Sequence, residues 1–366
     1  MREQPRREFL RILGASSAIS LGTMFPGTKT VQASQARKKK IKCGQIGTRH
    51  AHASGKMATM RKFSDDYQVV GIVEPDAERR KSLEKSATYQ GLQWMTEQEL
   101  LNTPGLQMVA VETEVRKLLP TAQRCIDAGL HIHLDKPAGE SLPQFQKVLS
   151  AATSKQRVVQ MGYMFRYNPA FQFLSQAVGQ GWLGDIFETH AVISKTVGAS
   201  TRRQLAAYPG GSMFELGCHL IDAVVATLGK PDQVTPYIRR TRPAQDSLAD
   251  NQLAVFEYPR ATATVRSALV EVNGGRRRQM VVCGDQGTIV IRPLEPPQLS
   301  LTLAKPQGKF SAGTHPVSLR KPGGRYDGDF MDLAQIIRGE KSPDYSVQHD
   351  LAVQEAVLRA SGLPTQ

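Results

Sequence analysis

Residues 40–74 read KIKCGQIGTRHAHASGKMATMRKFSDDYQVVGIVE, and this stretch decides the fold. Its opening, KIKCGQIG, is typical of a short strand that ends in a glycine turn, residues 54–63 of a helix, and YQVVGIVE of a second strand. A strand, a helix and a second strand in succession form a parallel β-α-β unit. The stretch therefore predicts the first unit of a doubly wound parallel sheet.

The alternation of strand-like and helix-like runs continues to about residue 160. LQMVAVET and LHIHLDKP read as buried strands, and residues 142–153 as the last helix of this part. We expect an α/β fold that begins with a Rossmann domain, a doubly wound parallel sheet, over residues 37–160.

Strands dominate the rest of the chain. DIFETHAVIS, NQLAVFEYP, ATATVRSALVEV, QMVVCGD and GTIVIR are strand-like, and one long helix between them starts near Met213 and ends before Gly229. We expect an α+β domain over residues 161–366 that carries an open, mostly antiparallel sheet.

The composition is that of an ordinary globular protein. Of the 366 residues, 40% are hydrophobic and 22% are charged, which excludes a disordered polyelectrolyte. The net charge of +14 is spread over short basic clusters, without the interleaved aromatic residues of single-strand binders or the spacing of zinc fingers. We therefore expect no nucleic-acid partner. The four cysteines lie far apart in the sequence, so we expect neither a disulfide nor a structural zinc ion.

The amino terminus carries a pattern typical of export signals. Residues 5–11 read PRREFLR, with the pair Arg6 and Arg7 ahead of Phe9, and a modestly apolar run follows over residues 12–25. This pattern resembles a twin-arginine (Tat) signal. We expect residues 1–36 to form that signal and the mature protein to be periplasmic or otherwise extracytoplasmic. The apolar run is shorter than the ~20 residues of a membrane-spanning helix, so no integral membrane span is expected.

Two features of the first domain point to a bound dinucleotide. Gly44 and Gly47 supply a tight turn before a helix whose N-terminal amides can hold a pyrophosphate. The GxGxxG pattern is incomplete, because Arg49 and His52 stand at its second and third glycine positions, and Arg49 can pair with a phosphate instead. Glu74, at the end of the second strand, can accept both ribose hydroxyls and would repel a 2′-phosphate. The expected cofactor is therefore NAD rather than NADP.

Two later motifs carry a resemblance to a known family. Residues 134–140, LDKPAGE, resemble the Glu-Lys-Pro motif of the Gfo/Idh/MocA family of sugar and cyclitol dehydrogenases, and residues 210–222, GGSMFELGCHLID, resemble its Gly-x-His-x-x-Asp helix. GYMFRYNPAF, CGDQGTIVI and HDLAVQEAVLRASG extend the similarity over essentially the whole mature chain. The resemblance implies a catalytic cleft between the Rossmann domain and an open-faced sheet. That sheet would bind a carbohydrate-like substrate and assemble the chain into a homodimer or homotetramer.

The resemblance and the glycine turn together suggest which residues contact ligands. One departure is the stretch ETEVRKLLP, which replaces the Thr-Pro … His segment of the family and keeps only Thr113. Substrate contacts are expected from Arg166, Tyr167 and Asp222. The expected cofactor contacts are Gly44, Ile46, Gly47, Thr48, Arg49, His50, Glu74, Thr113, Asp135, Lys136 and Pro137.

The expected catalytic residues are Lys136, His219 and Glu215. Glu215 and His219 are four residues apart and Asp222 is three further, so that a helix places all three on one face. Oxidation of a secondary alcohol requires removal of the hydroxyl proton, and a histidine that titrates near neutrality suits that task. Lys136 would stabilise the developing alkoxide. The family usually has aspartate where this chain has Glu215.

The histidine pairs do not predict a metal site. His131, His133 and Asp135 alternate on one strand like metal ligands, but no distant fourth ligand is evident. His50 and His52 are separated by one residue near a helix start, which is a poor geometry for chelating one ion. We expect no bound metal.

Three functions from different classes remain open. The first is an NAD-dependent oxidoreductase that acts on a secondary hydroxyl of a sugar, sugar acid or cyclitol. The second is a redox-neutral enzyme that cleaves a glycoside or epimerises a sugar with retained NAD. The third is a binding protein without catalysis. Basic clusters at residues 239–242 and 276–278 hint at an anionic sugar.

Overall fold

Residues 38–366 are described by a computed structural model. The predicted export signal lies outside the described residues. Within the described part of the chain, no helix combines the length and apolar character needed to cross a membrane.

The first half of the described chain is built on six parallel strands in the order β3-β2-β1-β4-β5-β6. This is the strand order of a Rossmann fold, and it confirms the predicted doubly wound sheet. The strands are β1 Ile41–Ile46, β2 Tyr67–Val73, β3 Trp94–Met95, β4 Met108–Val111, β5 His131–Leu134 and β6 Val159–Met161. The helices are α1 Ala53–Lys62, α2 Ala77–Leu83, α3 Glu97–Leu101, α4 Val115–Asp127 and α5 Leu142–Ser154.

The central strands are short and apolar because helices cover both faces of the sheet. All four residues of β4 are buried, as are three of the four in β5. The sequence pattern does not predict the edge elements β3 and α3. A two-residue strand and a five-residue helix have too few residues to show a hydrophobic periodicity. The start of α3 is nevertheless well defined by a capping box between Thr96 and Glu99.

The second half carries an eight-stranded sheet in the order β14-β13-β12-β11-β7-β10-β9-β8. Its neighbouring strands are antiparallel except for the pair β7 and β10, so the expected mostly antiparallel sheet is confirmed. The strands are β7 Ile186–Ser194, β8 Gln233–Arg239, β9 Asn251–Glu257, β10 Thr262–Ala268, β11 Gln279–Gly284, β12 Gly287–Leu294, β13 Pro297–Leu303 and β14 Gly313–Pro316.

One face of this sheet is covered by helices and the other is not. In β10, Ala263 and Val265 are buried under the helices, whereas Thr264 and Arg266 alternate onto the uncovered face and are only half-buried. The helices of this half are α6 Pro169–Gly179, α7 Ala199–Ala206, α8 Cys218–Leu228, α9 Asp327–Ile337 and α10 Val347–Ala360.

The long helix predicted from Met213 is present, but its first turn is wider than an α-helix. Residues Met213–Gly217 form a π-helical turn that runs directly into α8. The widened turn presents the carbonyl of Glu215 to the ammonium of Lys136, which donates to it at 2.6 Å. π-turns of this kind are frequent at functional sites.

Two helices of the second half return to the Rossmann sheet. Phe330 and Leu333 of α9 are buried in one hydrophobic cluster with Met57 and Met60 of α1. Gln354 of α10 bonds the backbone that follows Lys136, through the amide of Ala138 and the carbonyl of Gly139. The two sheets are therefore held around one cleft, and the carboxyl-terminal helix α10 fixes the backbone that follows the motif LDKP. The predicted boundary between residues 160 and 161 stays a prediction.

Candidate active site

The turn after β1 is shaped for close approach by another group. Gly47 has a φ of +90°, and a Cβ there would lie 2.7 Å from the backbone of Thr113. Only glycine fits this position, at the point where the strand order of the sheet reverses. Gly44, by contrast, lies inside β1, where a Cβ would meet the Leu100 side chain at 2.6 Å. Its absence of a side chain serves packing within the sheet, and the expected cofactor contact at Gly44 stays a prediction.

Glu74 is buried at the end of β2 and is not a solvated loop carboxylate. It is 4% exposed, and its oxygens accept from the Thr48 hydroxyl at 2.5 Å and from the backbone amide of Asp76 at 3.1 Å. Arg79 donates to the same Thr48 hydroxyl at 2.6 Å, so a guanidinium lies beside the carboxylate. An acidic residue here suits a ribose, and a nearby arginine suits a 2′-phosphate.

A cavity of about 580 Å³ opens beside this carboxylate. Its walls come from the ends of three neighbouring strands, as expected for the adenosine end of a dinucleotide site. The residues present therefore fit a dinucleotide. Among the predicted contacts, the cavity is lined by Ile46, Gly47, Glu74 and Thr113.

Arg49 lies over the glycine turn and is held by two carboxylates. Its guanidinium pairs with Asp76 and lies 3.3 Å from Oε1 of Glu114. The side chain is 42% exposed, so a phosphate would have to compete with these partners. The proposed pairing of Arg49 with phosphate stays a prediction.

Asp135 is the centre of a buried ion-pair cluster behind the cleft. Its carboxylate lies 2.6 Å from Nδ1 of His50, 3.1 Å from Nδ1 of His52 and 2.9 Å from Nζ of Lys56. The backbone amide of Lys136 also donates to it, at 2.7 Å. Burial alone would raise the pKa of Asp135, but His50, Lys56 and His52 hold it well below its usual value. The group is therefore a fixed negative charge.

This cluster resembles a metal site only in its residue types. Ligand atoms of His50, His52 and Asp135 lie within 4.8 Å of one another. The Lys56 ammonium, however, contacts the same carboxylate, and a second cation beside it would be repelled. His133 faces Asp329 at 3.5 Å, and does not join Asp135 as a ligand pair. The expectation of no bound metal stays a prediction.

Lys136 and Glu215 meet in a buried ion pair. Nζ of Lys136 lies 3.1 Å from Oε1 of Glu215, and the Tyr208 hydroxyl donates to Oε2 at 2.9 Å. Burial opposes the charge on both groups, but the charge of the partner and the smaller effects of neighbouring groups together outweigh it. The pKa of Glu215 falls to about 2 and that of Lys136 is raised. At neutral pH the pair is therefore an ammonium and a carboxylate.

His219 lies one turn after Glu215 at the start of α8 and is 2% exposed. Its ring packs edge-on against Tyr163 and Phe165, and its centroid is 6.2 Å from that of His52. Burial, followed by the charge of Lys136, holds the pKa of His219 well below its usual value. The imidazole is therefore neutral at pH 7 and able to accept a proton.

The predicted substrate residues bond mainly to protein groups. Arg166 lies 2.6 Å from both Asp222 and Asp350, and His349 approaches the same Asp222 carboxylate at 3.2 Å. The Tyr167 hydroxyl donates to Asp332 at 2.7 Å. Asp222 thus pairs with Arg166, whereas Glu215 pairs with Lys136, and the expectation that a helix places both on one face stays a prediction. A substrate contact by Arg166, Tyr167 or Asp222 stays a prediction.

The cleft contains side chains that sequence reasoning missed. A cavity of about 410 Å³ between the two sheets is lined by Arg49, His50 and Glu215, and also by Lys195 and Tyr208. Lys195 follows β7 and Tyr208 follows α7, and neither belongs to a short motif. Only the fold brings them to Glu215, so no local signal could have identified them.

Comparisons with known proteins agree with this geometry. The model of the oxidoreductase family with an NAD-binding Rossmann fold, GFO_IDH_MocA, matches residues 41–163, and the GFO/IDH/MocA C-terminal domain model matches residues 171–290. The chain belongs to the Gfo/Idh/MocA family of oxidoreductases, and its first domain is an NAD(P)-binding Rossmann domain.

Curated relatives are distant. The uncharacterized oxidoreductase YdgJ of Escherichia coli (strain K12) is 25% identical over 199 residues, which are 54% of this chain and 57% of YdgJ. The scyllo-inositol 2-dehydrogenase (NADP(+)) IolW of Bacillus subtilis (strain 168) is 24% identical over 183 residues, 49% of this chain and 51% of IolW. The match thus spans about half the length of each relative.

Solved structures share the fold. The crystal structure of an aldose-aldose oxidoreductase from Caulobacter crescentus, complexed with glycerol, superposes with a TM-score of 0.74 at 18% identity. The alignment covers 88% of this chain and 98% of that one. At this identity the likeness concerns the fold alone.

Proposed function

We propose that the protein is an NAD-dependent oxidoreductase that acts on a secondary hydroxyl of a sugar, sugar acid or cyclitol. The observation that carries the proposal is the charged Lys136–Glu215 pair, 3.1 Å apart, with the neutral His219 one helical turn further. A fixed cation and a neutral base are the two groups that removal of a hydroxyl proton requires.

The residues that would hold the cofactor lie at the strand ends. Gly47 allows the backbone of Thr113 to approach the turn closely, and Glu74 and Thr113 line the cavity beside it. When bound, the nicotinamide supplies the hydride acceptor. The protein supplies binding, orientation and proton transfer.

Lys136 stabilises negative charge on the substrate oxygen. It is 1% exposed, and Glu215 and the backbone fix its ammonium, so the charge need not reorganise when the alkoxide develops. His219 takes the hydroxyl proton at its ring. Because burial keeps the imidazole neutral, the base is in its accepting form at neutral pH.

A second imidazole in the cleft favours the redox-neutral reaction as the second candidate. Nδ1 of His52 lies 3.1 Å from the Asp135 carboxylate, which directs that proton to Asp135 and leaves Nε2 as an acceptor. Burial lowers the pKa of His52 to about 4. Two neutral imidazoles could remove both a hydroxyl proton and the proton on the carbon next to the resulting ketone, as epimerisation or elimination requires.

The relatives support the choice of substrate class. IolW is named for a cyclitol, scyllo-inositol, which is a ring of secondary hydroxyls. Its name also specifies NADP(+), whereas the buried Glu74 of this chain favours NAD. The proposed substrate class therefore rests on the relative, and the proposed cofactor rests on the residues of the site.

The proposal is tested with the purified full chain, NAD and a panel of sugars, sugar acids and cyclitols. Formation of reduced nicotinamide with one of these substrates is expected. Turnover of a sugar without net reduction would favour the second candidate. A protein that neither binds NAD nor converts any member of the panel would contradict both. The spectrum and mass of small molecules released on denaturation would reveal retained NAD.

Assembly through the uncovered sheet face is part of the proposal. Five neighbouring strands each place one half-buried side chain on that face. The strand register sets these five side chains side by side in one row. A second copy of the chain would cover them, giving a homodimer or homotetramer. Light scattering of the wild type and of Val281→Lys tests this. The row is Val255, Thr264, His190, Val281 and Val290.

A further inference from the structure

Three cations gather at the substrate side of the cleft, and we call them the cation group: Lys195, Arg278 and Arg325. They come from the end of β7, the start of β11 and the loop before α9. These segments are far apart in the sequence. Only the tertiary fold brings these three side chains to the same side of the cleft.

Arg278 is turned inward, unlike its neighbours. Its side chain is 17% exposed, its Nε donates to the carbonyl of Ser194 at 3.1 Å, and its Nη1 lies 3.4 Å from Glu295. Arg277 pairs instead with Glu271, and Arg276 is exposed. The basic cluster at residues 276–278 therefore contributes one arginine to the cleft.

Arg325 shares the same carboxylate. Its Nη2 lies 2.7 Å from Oε1 of Glu295. The next residue, Tyr326, has its ring 5.8 Å from that of His52, which places this loop beside the ion-pair cluster of Asp135. After burial and the charge of Lys136, the charge of Arg325 also lowers the pKa of His219.

Lys195 completes the group from the other wall. It is half-buried and lines the same cavity as Glu215 and Tyr208. Burial lowers its pKa, and the charges of Lys136, Arg278 and Arg325 lower it further, against the opposing charge of Glu215. Nε of Arg278 donates to the carbonyl of Ser194, the residue directly before Lys195, so this contact brings the lysine beside Arg278.

Positive charges outnumber negative charges among the side chains around the cleft. Glu215 is already paired with Lys136, and Glu295 is shared by Arg278 and Arg325. Like charges gathered in a partly buried site repel one another, and an anion that enters the site relieves the repulsion. Guanidinium groups are also well suited to bind carboxylate and phosphate oxygens.

We propose that the cation group binds an oxyanion of the substrate, so that the enzyme acts on an acidic sugar or a sugar phosphate rather than on a neutral polyol. This inference rests on the proposed function, because it assigns the substrate class of the same cleft. The shared chemistry is a carboxylate or phosphate carried on the same molecule as the oxidised hydroxyl.

Binding of simple anions tests the site without knowledge of the sugar. The full chain is titrated by calorimetry with inorganic phosphate and with acetate, in the absence and in the presence of saturating NADH, which occupies the cofactor phosphate site. We expect one anion to bind at millimolar concentration in both conditions. Arg325→Gln and Lys195→Gln should each weaken this binding by about tenfold, the loss expected for one charge-assisted hydrogen bond. The exposed Arg276→Gln serves as the matched control and should bind as the wild type does.

The outcomes separate this inference from the proposed function. Failure of the chain to bind NADH would refute the proposed function, while the titration without NADH would still test the cation group. Absence of anion binding by the wild type, or equal binding by the wild type and both cleft variants, would overturn the inference. An equal loss in Arg276→Gln would do the same, since it would indicate a general effect of charge. Preference for acetate would identify an acidic sugar, and preference for phosphate a sugar phosphate.

Discussion

The ammonium of Lys136 donates to the backbone carbonyl of Glu215 at 2.6 Å and lies 3.1 Å from the carboxylate of the same residue. One residue of the π-helical turn thus holds the lysine by two different groups. The carboxylate sets the protonation of Lys136, and the carbonyl sets its position.

Replacement of Lys136 by alanine should lower turnover by about 10² to 10⁴, because the developing alkoxide loses its stabilising cation. Glu215→Gln should lower turnover by a smaller factor, because the glutamine keeps the backbone carbonyl and a side-chain acceptor. Steady-state kinetics measure the two effects. Full activity of Lys136→Ala on an identified substrate would refute the role of the lysine.

His219→Ala should lower turnover by a comparable factor, again about 10² to 10⁴. The double variant with Lys136→Ala should lose far less than the product of the two single losses, because both groups act on one hydroxyl proton. A double-mutant cycle in kcat/KM provides the measurement. Multiplicative losses would show that the two residues act in separate steps.

The pH profile should report the neutral state of His219. The base works deprotonated, and its pKa in the folded protein lies well below 6.5, so activity should persist as the pH falls through 6.5 and be lost only at lower pH. The acid limb of kcat/KM against pH measures this. A midpoint at or above 6.5 would contradict the assignment of the buried imidazole as the base.

Asp329 should make stability depend on pH. It is fully buried in α9, and burial raises its pKa to about 8, with Lys56 opposing. The folded state therefore binds this proton more tightly than the unfolded state, where the pKa is near 3.8, so the contribution to stability is present below pH ~4 and is lost as the pH rises through ~8. Urea unfolding of Asp329→Asn should show a smaller loss between pH 5 and 8 than the wild type. The exposed Asp65→Asn should behave as the wild type does.

Glu74 should set the choice of cofactor. The wild type should bind NADH more tightly than NADPH, and Glu74→Ala should narrow the difference because it removes the charge that repels a 2′-phosphate. Glu74→Gln is a useful companion, since it removes the charge and keeps an acceptor for the Thr48 hydroxyl. Equal binding of both cofactors by the wild type would disprove the preference for NAD.

Export is a separate proposal that rests on Arg6 and Arg7. Changing both to lysine should leave the protein in the cytoplasm, whereas the wild type should be recovered outside it. Fractionation and immunoblotting measure the distribution. Normal export of the double-lysine form would indicate another route.

Much of the fold could be predicted because its signals are local. Parallel strands such as β4 are continuous apolar runs, and the glycine at position 47 marks the turn that follows β1. The helix α2 ends at Leu83, since none of its residues is buried and packing does not extend it. Short edge strands show no hydrophobic periodicity, so the sequence pattern does not predict them.

The candidate site was only partly predictable for a different reason. Lys136 and Glu215 were identified through motifs, but the partners that fix their charges, such as Tyr208, come from distant segments. Arg166 and Asp222 show the converse. Their residue types suggested ligand contacts, yet the fold brings them together with Asp350 in a buried network. A motif specifies which side chains are present, and the tertiary contacts decide what each one bonds.

The π-helical turn Met213–Gly217 lies directly before the start of α8, which carries His219. Such a turn accommodates one residue more than a regular α-helix does. Deletion of a single residue from it should therefore restore α-helical winding and leave His219 at nearly the same angle around the helix. The widened turn that presents the Glu215 carbonyl to Lys136 would be lost instead, so the extra residue separates the placement of the lysine from the placement of the histidine.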